Sequence, residues 1–380
     1  MKASIVCGMG WGDEGKGKTT DHLCSLPSLN GNEPNKIVVR FSGGQQAGHN
    51  VKIDGISHIH SNFGSGTLRG VPSYFSEHCT IYPKTMYKEH CVLESKGVKP
   101  QLYIHPMAKV TTPFDVAYNR LTEKKNGHGS CGLGVAATMK RNLETGYKLF
   151  AIDLFNKTLL NSKLIQIQKY YYNLINNEED LKIFRDYEIN EIDEFFVSLE
   201  KLEFNVHGYN FLKSYDEIIF EGSQGILLDM DHGVFPNVTF ANTTSKNALE
   251  ICKKLGIDKY DIDIHYVTRC YQTRHGYGYM SNQENIELIN TEDEINVYNE
   301  WQKNFKIGEL DYDLLNYALD VDEIYSEGIT KHLIITCLDQ RPGFEFDSSK
   351  LNRKFKTIYG TYSADNSAKK FTIQPIELFI

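Results

Sequence analysis

Near its start the chain carries Gly8-Met9-Gly10-Trp11-Gly12-Asp13-Glu14-Gly15-Lys16-Gly17-Lys18-Thr19, two carboxylates and two ammonium groups inside a glycine-rich turn. Glycines let backbone amides approach an anion closely, and a helix N-terminus behind them contributes further N–H groups. Gly12, Gly17, Lys18 and Thr19 also satisfy the spacing of a phosphate-binding loop, with Glu14 and Gly15 inside it. That spacing leaves Asp13 and Lys16 without a purpose. A carboxylate beside phosphate is repelled unless it holds a metal ion or takes up a proton, so Asp13 is a candidate for both roles.

Three later segments have comparable chemistry. Phe41-Ser42-Gly43-Gly44-Gln45-Gln46-Ala47-Gly48-His49-Asn50 brings amide side chains and one imidazole to a strand end, and His49, titrating near neutrality, is the natural general acid. Gly127-His128-Gly129-Ser130-Cys131-Gly132-Leu133-Gly134 forms a second anion cradle, with Lys140 and Arg141 close behind. In Phe220-Glu221-Gly222-Ser223-Gln224-Gly225, Gln224 offers a donor and an acceptor suited to a purine edge. Thr239, Asn242, Thr243 and Thr244 add polar groups downstream. Two cradles with purine readers between them imply two bound substrates, which is more than a nucleotide switch or simple kinase needs.

These loops require strands to hold them. Short apolar runs at 3–7, 37–41, 102–104, 217–220, 265–268 and 332–336 are each bounded by polar or glycine punctuation. Helical patterning separates several of them, which predicts an α/β fold with a largely parallel central sheet and a P-loop-like first strand–loop–helix. We read 1–380 as one domain with helical insertions near 155–205 and 284–325. The run Tyr170-Tyr171-Tyr172 reads as helix packing. A net charge of −8 argues against nucleic acid as a partner. The eight scattered cysteines form no CxxC pair, and no apolar run is long enough to span a bilayer, so a cytoplasmic protein is expected.

The first loop resembles the phosphate loop of adenylosuccinate synthetases. Gly43-Gly44 with Ala47-Gly48-His49 resembles that family's second loop, and Glu221 to Gly225 with Asp229-Met230-Asp231-His232-Gly233 and Asn242-Thr243-Thr244 resembles its third. The resemblance implies an NTP-dependent C–N ligase. It would phosphorylate O6 of a 6-oxopurine 5′-monophosphate and condense C6 with L-aspartate. It further implies that Asp13 is the base toward N1 and, with the Gly48 carbonyl, a Mg²⁺ ligand. His49 would act on the transferring group, and Lys16 and Gln224 would steady charge at O6. Gln46 falls in the second loop, beside the purine. Ser130, Cys131 and Thr239 match monophosphate-binding positions. Arg141 matches an arginine lent to the neighbouring subunit in family homodimers.

Departures from the pattern bear on the substrate. The family's Gly-Gly-His-Asn is Gly44-Gln45-Gln46 with Ala47 following, and its arginine-rich aspartate loop falls near Trp301 to Asp311, which holds no arginine. Aspartate would then depend on Lys303 or Lys306, or on Arg269 and Arg274. Lysine lacks the planar fork of a guanidinium, so the capture geometry must differ. The guanine-reading Lys-Leu-Asp is Cys337-Leu338-Asp339, which makes ATP or dATP as plausible a donor as GTP. The close spacing of Asp339 and Gly360 resembles the shortened archaeal and phage-encoded forms, some of which convert dGMP to 2-aminoadenylosuccinate for diaminopurine DNA. Those enzymes often carry serine where this chain has Asp13. We expect dGMP as acceptor, with IMP the alternative that Asp13 favours.

Overall fold

The computed structural model describes residues 1–27, 35–126, 132–292, 294, 305–367 and 373–375. Its main sheet is built from β1 (Lys2–Gly8), β2 (Lys36–Arg40), β3 (Ser73–Phe75), β4 (Leu102–Ile104), β5 (Asn205–Val206), β6 (Glu217–Gly225), β7 (Ile262–Arg269), β8 (Thr330–Thr336), β9 (Thr357–Thr361) and β10 (Ile373–Pro375). The order is β10-β9-β8-β7-β1-β6-β2-β3-β4-β5. Every pairing is parallel except β9 with β10. The expected parallel α/β sheet is therefore present, and the strands read from apolar runs are its inner members.

A parallel strand buried on both faces needs apolar residues on both, and β1 has them. Ala3, Ile5 and Cys7 join a core with Ile218, Phe220, Ile264 and Tyr266, while Val6 packs on the opposite face with Val38, Ile219, Val267 and Ile334. Helix α1 (Lys16–Ser25) brings Cys24 to that second face. Helices α2 (Pro83–Ser95), α3 (Pro113–Asn126), α4 (Val135–Glu144), α5 (Lys157–Leu174) and α6 (Glu178–Lys201) surround a separate apolar cluster containing Phe75, Ile104, Phe184 and Phe195. Helices α7 (Lys246–Leu255) and α8 (Tyr312–Ser326) contribute Ile251 and Leu319 to the first core.

The insertion expected near 155–205 is α5 and α6, whose N-termini are capped by the side chains of Asn156 and Asn177. Tyr171 packs inside it and donates to Asp115 at 2.6 Å. The helix expected across 284–325 is corrected. Residues 283–291 have no regular structure, Phe305–Gly308 is a strand, and among the described residues helix begins at Tyr312, where Asp311 caps it. Phe305–Gly308 pairs antiparallel with Gln272–His275, and that pairing outweighs the polar, helix-compatible composition. Among the described residues no helix is long and apolar enough to cross a membrane.

Candidate active site

Ligands of open α/β sheets collect beyond the carboxyl ends of the strands, near where the strand order reverses. Here β1 lies between β6 and β7; the glycine-rich loop from Gly8 follows β1, the segment from Phe41 follows β2, and Phe220–Gly225 is the carboxyl end of β6 itself. In the first loop, Gly12 and Gly15 have φ of +101° and +96°, a region that favours glycine, and Asp13 sits at +62°. The Glu14 carboxylate turns inward, accepting from the Gly10 amide at 3.0 Å, the Gly12 amide at 2.8 Å and Lys16 Nζ. Glu14 and Lys16 thus hold the loop in shape. Gly15 caps α1 without any side-chain bond, which leaves the first amides of the helix for an anion.

Lys18 donates to the Ser363 carbonyl. Burial brings its pKa down to about 8, against the opposing pull of Cys337, Asp339 and Asp365. Thr19 bonds back to the Gly15 carbonyl through both its amide and its hydroxyl.

Asp13 stands at the mouth of this loop with Oδ2 at 3.2 Å from His275 Nε2. Burial pushes its carboxyl up. The hydrogen bond and charge of His275, with Arg269 and Lys16, more than offset this, so its pKa ends below the ordinary value. Arg269 Nε also donates to the Asp13 carbonyl at 2.6 Å. No local signal marks His275 as this partner, because strand pairing far along the chain delivers it.

His49 begins a hairpin of Ile56–His60 on His49–Ile53. Its Nδ1 lies 2.6 Å from Glu221 Oε1, and Nε2 is left with only a 3.4 Å approach to the Ser223 carbonyl. Glu221 is wholly buried on β6 and also accepts from the Ser65 amide at 3.0 Å and the Ser65 hydroxyl. Burial would raise this carboxyl, yet His49, Arg40 and Ser65 pull it down to about 2. Burial lowers the His49 pKa and outweighs the opposing effect of Glu221. Arg40, the register partner of Glu221 on β2, is wholly buried with no hydrogen-bond partner for its guanidinium among the described residues.

The pairing of Glu221 with His49 was not anticipated, though an acid closing an apolar parallel strand is a signal that could have exposed it. The close fit also explains Gly17. A Cβ there would come within 2.5 Å of His49 Cβ and 2.9 Å of Ser65 Oγ.

Around this centre, Gln46 has both amide atoms buried without a hydrogen-bond partner among the described residues, and Gln224 is half-buried with Oε1 accepting from Ser223 Oγ at 3.1 Å. Gln45, by contrast, is held by Thr80, Thr111 and the Leu133 carbonyl. Gly48 is exposed, and Thr239 and Asp339 are half-buried. Arg274 stacks on Trp11 at 4.0 Å and donates to the Tyr279 and Asn237 carbonyls; its register partner Lys306 donates to the Gly278 carbonyl. Arg269 also contacts Glu294 at 2.7 Å. Ser130, Cys131 and Lys303 lie outside the described residues.

The role expected for Arg141 is corrected. Its guanidinium is buried beneath α4, bidentate to Asp115 at 2.8 Å and bonded to the Val110 and Tyr147 carbonyls. A side chain satisfied in this way is not presented to a neighbouring subunit.

The chain is similar in sequence and in fold to known proteins. The family model described as adenylosuccinate synthetase matches residues 5–346. The adenylosuccinate synthetase of Pseudomonas putida is 32% identical over 292 residues, covering 73% of this chain and 64% of that protein. The chain therefore spans just under two thirds of that relative's length. A fully ligated adenylosuccinate synthetase from Plasmodium falciparum superimposes with a TM-score of 0.62 at 20% identity, covering 99% of this chain and 87% of that one. The succinoaminodeoxyadenylate synthetase of cyanophage S-2L, solved with dGMP and with dATP as energy donor, gives 0.65 at 13% identity, covering 98% and 95%. At those identities the structural matches speak for the fold, whereas the family model and the sequence relatives speak for descent: the chain belongs to the adenylosuccinate synthetase family.

Proposed function

We propose that this chain is an NTP-dependent C–N ligase that activates O6 of a purine 5′-monophosphate by phosphorylation and then joins C6 to L-aspartate. The observation that carries the reading is the convergence, at the carboxyl ends of the central strands, of the α1 amide cradle, the Asp13 carboxylate and the His49–Glu221 pair. Asp13 takes the proton from N1, which makes O6 the nucleophile toward the γ-phosphorus. The nucleoside diphosphate leaves, and the amine of aspartate then displaces phosphate from C6. With Nδ1 turned to Glu221, His49 meets the transferring group through Nε2, and the negative charge of that group favours protonation there.

Lys16 and Gln224 face the charge developing on O6. Lys18, Thr19 and the loop amides hold the triphosphate, and Thr239 the monophosphate. The Asp13 carboxylate and the carbonyl of Gly48, an exposed residue, would hold Mg²⁺, and both offer the oxygen donors that ion prefers. When bound, the ion offsets phosphate charge. Among the described residues Lys306, Arg269 and Arg274 are the cations proposed for aspartate, and each would exchange a present partner for its carboxylates.

For the acceptor we favour dGMP. Gln45-Gln46 in place of the family's histidine–asparagine pair beside the purine, the arginine-free loop near Trp301 to Asp311 and Cys337 in place of a lysine together resemble the phage-encoded forms. The cyanophage structure with dGMP and dATP supports this by likeness of fold. IMP is the second reading, favoured by Asp13 itself. Phosphate release with L-aspartate and Mg²⁺ separates them, comparing IMP, GMP and dGMP under ATP and GTP with product masses recorded. Turnover of dGMP to a 2-amino succinyl product is expected. Turnover of IMP alone would overturn the substrate assignment, and phosphate release that needs no purine monophosphate would overturn the ligase.

A further inference from the structure

The hairpin that carries His49 also carries a second cluster that the ligase chemistry does not use. His58 and His60 alternate on the strand Ile56–His60, so their side chains share one face, and both are buried. Glu89 of α2 meets them there, also buried, and one donor atom from each of the three lies within 4.8 Å of the others. The two imidazoles stand edge to face at 4.5 Å and 72°. His58 Nε2 is 3.3 Å from Glu89 Oε1, while the Ser61 and Asn62 amides and Asn62 Nδ2 fix the same carboxylate.

His60 is the anomaly. It is wholly buried, yet neither ring nitrogen has a hydrogen-bond partner among the described residues. A buried polar atom without a partner costs about 1–3 kcal/mol, so a residue with two of them calls for a ligand.

We propose that His58, His60 and Glu89 bind one divalent transition-metal ion of the Zn²⁺ class, distinct from the Mg²⁺ of the triphosphate site. Two imidazoles and a carboxylate match a three-ligand zinc set with a fourth position for water, whereas Mg²⁺ prefers oxygen alone. Donors sharing a tetrahedral zinc at about 2.0–2.2 Å stand roughly 3.3–3.6 Å apart, so the set, now within 4.8 Å, must close by up to about 1.4 Å on binding. The charges facing the cluster are Arg40 and Lys96 against Glu89 and Glu221, two of each sign. Metal at His58 Nε2 moves the imidazole proton to Nδ1. Lys96, which now approaches Nδ1 at 3.1 Å and is half-exposed, must then turn away. Because His60 is the register partner of His49, the ion would tie the His49 hairpin to α2.

The test uses the full-length protein, stripped with a chelator and titrated with Zn²⁺ or Co²⁺ alone. Elemental analysis should return about one ion per chain, and Co²⁺ should show the visible absorption of a four-coordinate site. His60→Gln and Glu89→Gln should each weaken binding by more than about tenfold, while Lys96→Met should leave it intact or tighter. X-ray absorption of the zinc-loaded wild type reads imidazole in the shell without any variant. Absence of a bound ion, undiminished binding in His60→Gln, or a zinc spectrum without imidazole scattering would each overturn the proposal.

Discussion

Replacing Glu221 by glutamine keeps the volume and removes the charge. Its two oxygens accept from three donors: Ser65 Oγ and His49 Nδ1 on Oε1, and the Ser65 amide on Oε2. A glutamine has one acceptor oxygen, so in either orientation its own NH₂ faces a donor. Arg40, paired in register and buried, would also lose its compensating carboxylate. The scale follows from the carboxyl's depression from 4.5 to about 2. At about 1.36 kcal/mol per pKa unit, ionised Glu221 stabilises the fold by roughly 3 kcal/mol relative to its protonated form. A group whose folded pKa is depressed contributes fully above its unfolded pKa, and loses that contribution as pH falls through the folded value.

Urea denaturation of wild type and Glu221→Gln at pH 7, 5, 4 and 3 checks this. We expect the variant to be less stable by about 3–5 kcal/mol at pH 7, the range for breaking a buried ion pair. The gap should narrow as pH falls from about 4.5 toward 2, because wild type loses what the variant never had. A gap that does not change with pH, or no gap, would refute the electrostatic account of this site.

Gly17→Ala should cost about 1–3 kcal/mol by overpacking and lower kcat as well, since the new methyl displaces His49; denaturation and steady-state rates read both. His49→Asn should reduce kcat by roughly 10²–10⁴-fold with the fold retained, and an unchanged rate would remove it from the mechanism. Asp13→Ala should abolish turnover while triphosphate binding, followed by calorimetry, persists. Arg141→Leu should destabilise by about 3–5 kcal/mol, because Asp115 is left buried and unpaired. Mixing it with Asp13→Ala chains should restore no activity, whereas restored activity would reinstate a shared site.

Much of the architecture is legible because parallel strands announce themselves. Runs such as Ile37-Val38-Val39 and Leu333-Ile334-Ile335 are apolar on both faces, and the first two motif loops follow such runs directly. The stretch after Glu284 misled because a polar, lysine- and glutamate-containing segment suits a helix, a loop or a short edge strand alike, and pairing with Gln272–His275 decided among them. Arg141 misled in the same way. A positive charge a few residues after a glycine-rich loop looks like a ligand, and only the position of Asp115 shows that it is a buried partner.

The sequence alone determined the chemistry on offer: a glycine-rich loop with a carboxylate, a strand-end imidazole and an amide-bearing third loop. Those are local facts, since residue type and short-range spacing dictate turn geometry and functional groups. Tertiary structure decided which groups meet. Glu221 reaches His49, His275 reaches Asp13, and His58 and His60 reach Glu89 because sheet register, a hairpin and a helix docking bring distant segments within hydrogen-bond range. Protonation states follow from those meetings, because burial and neighbouring charge set a pKa and neither can be read from residue type.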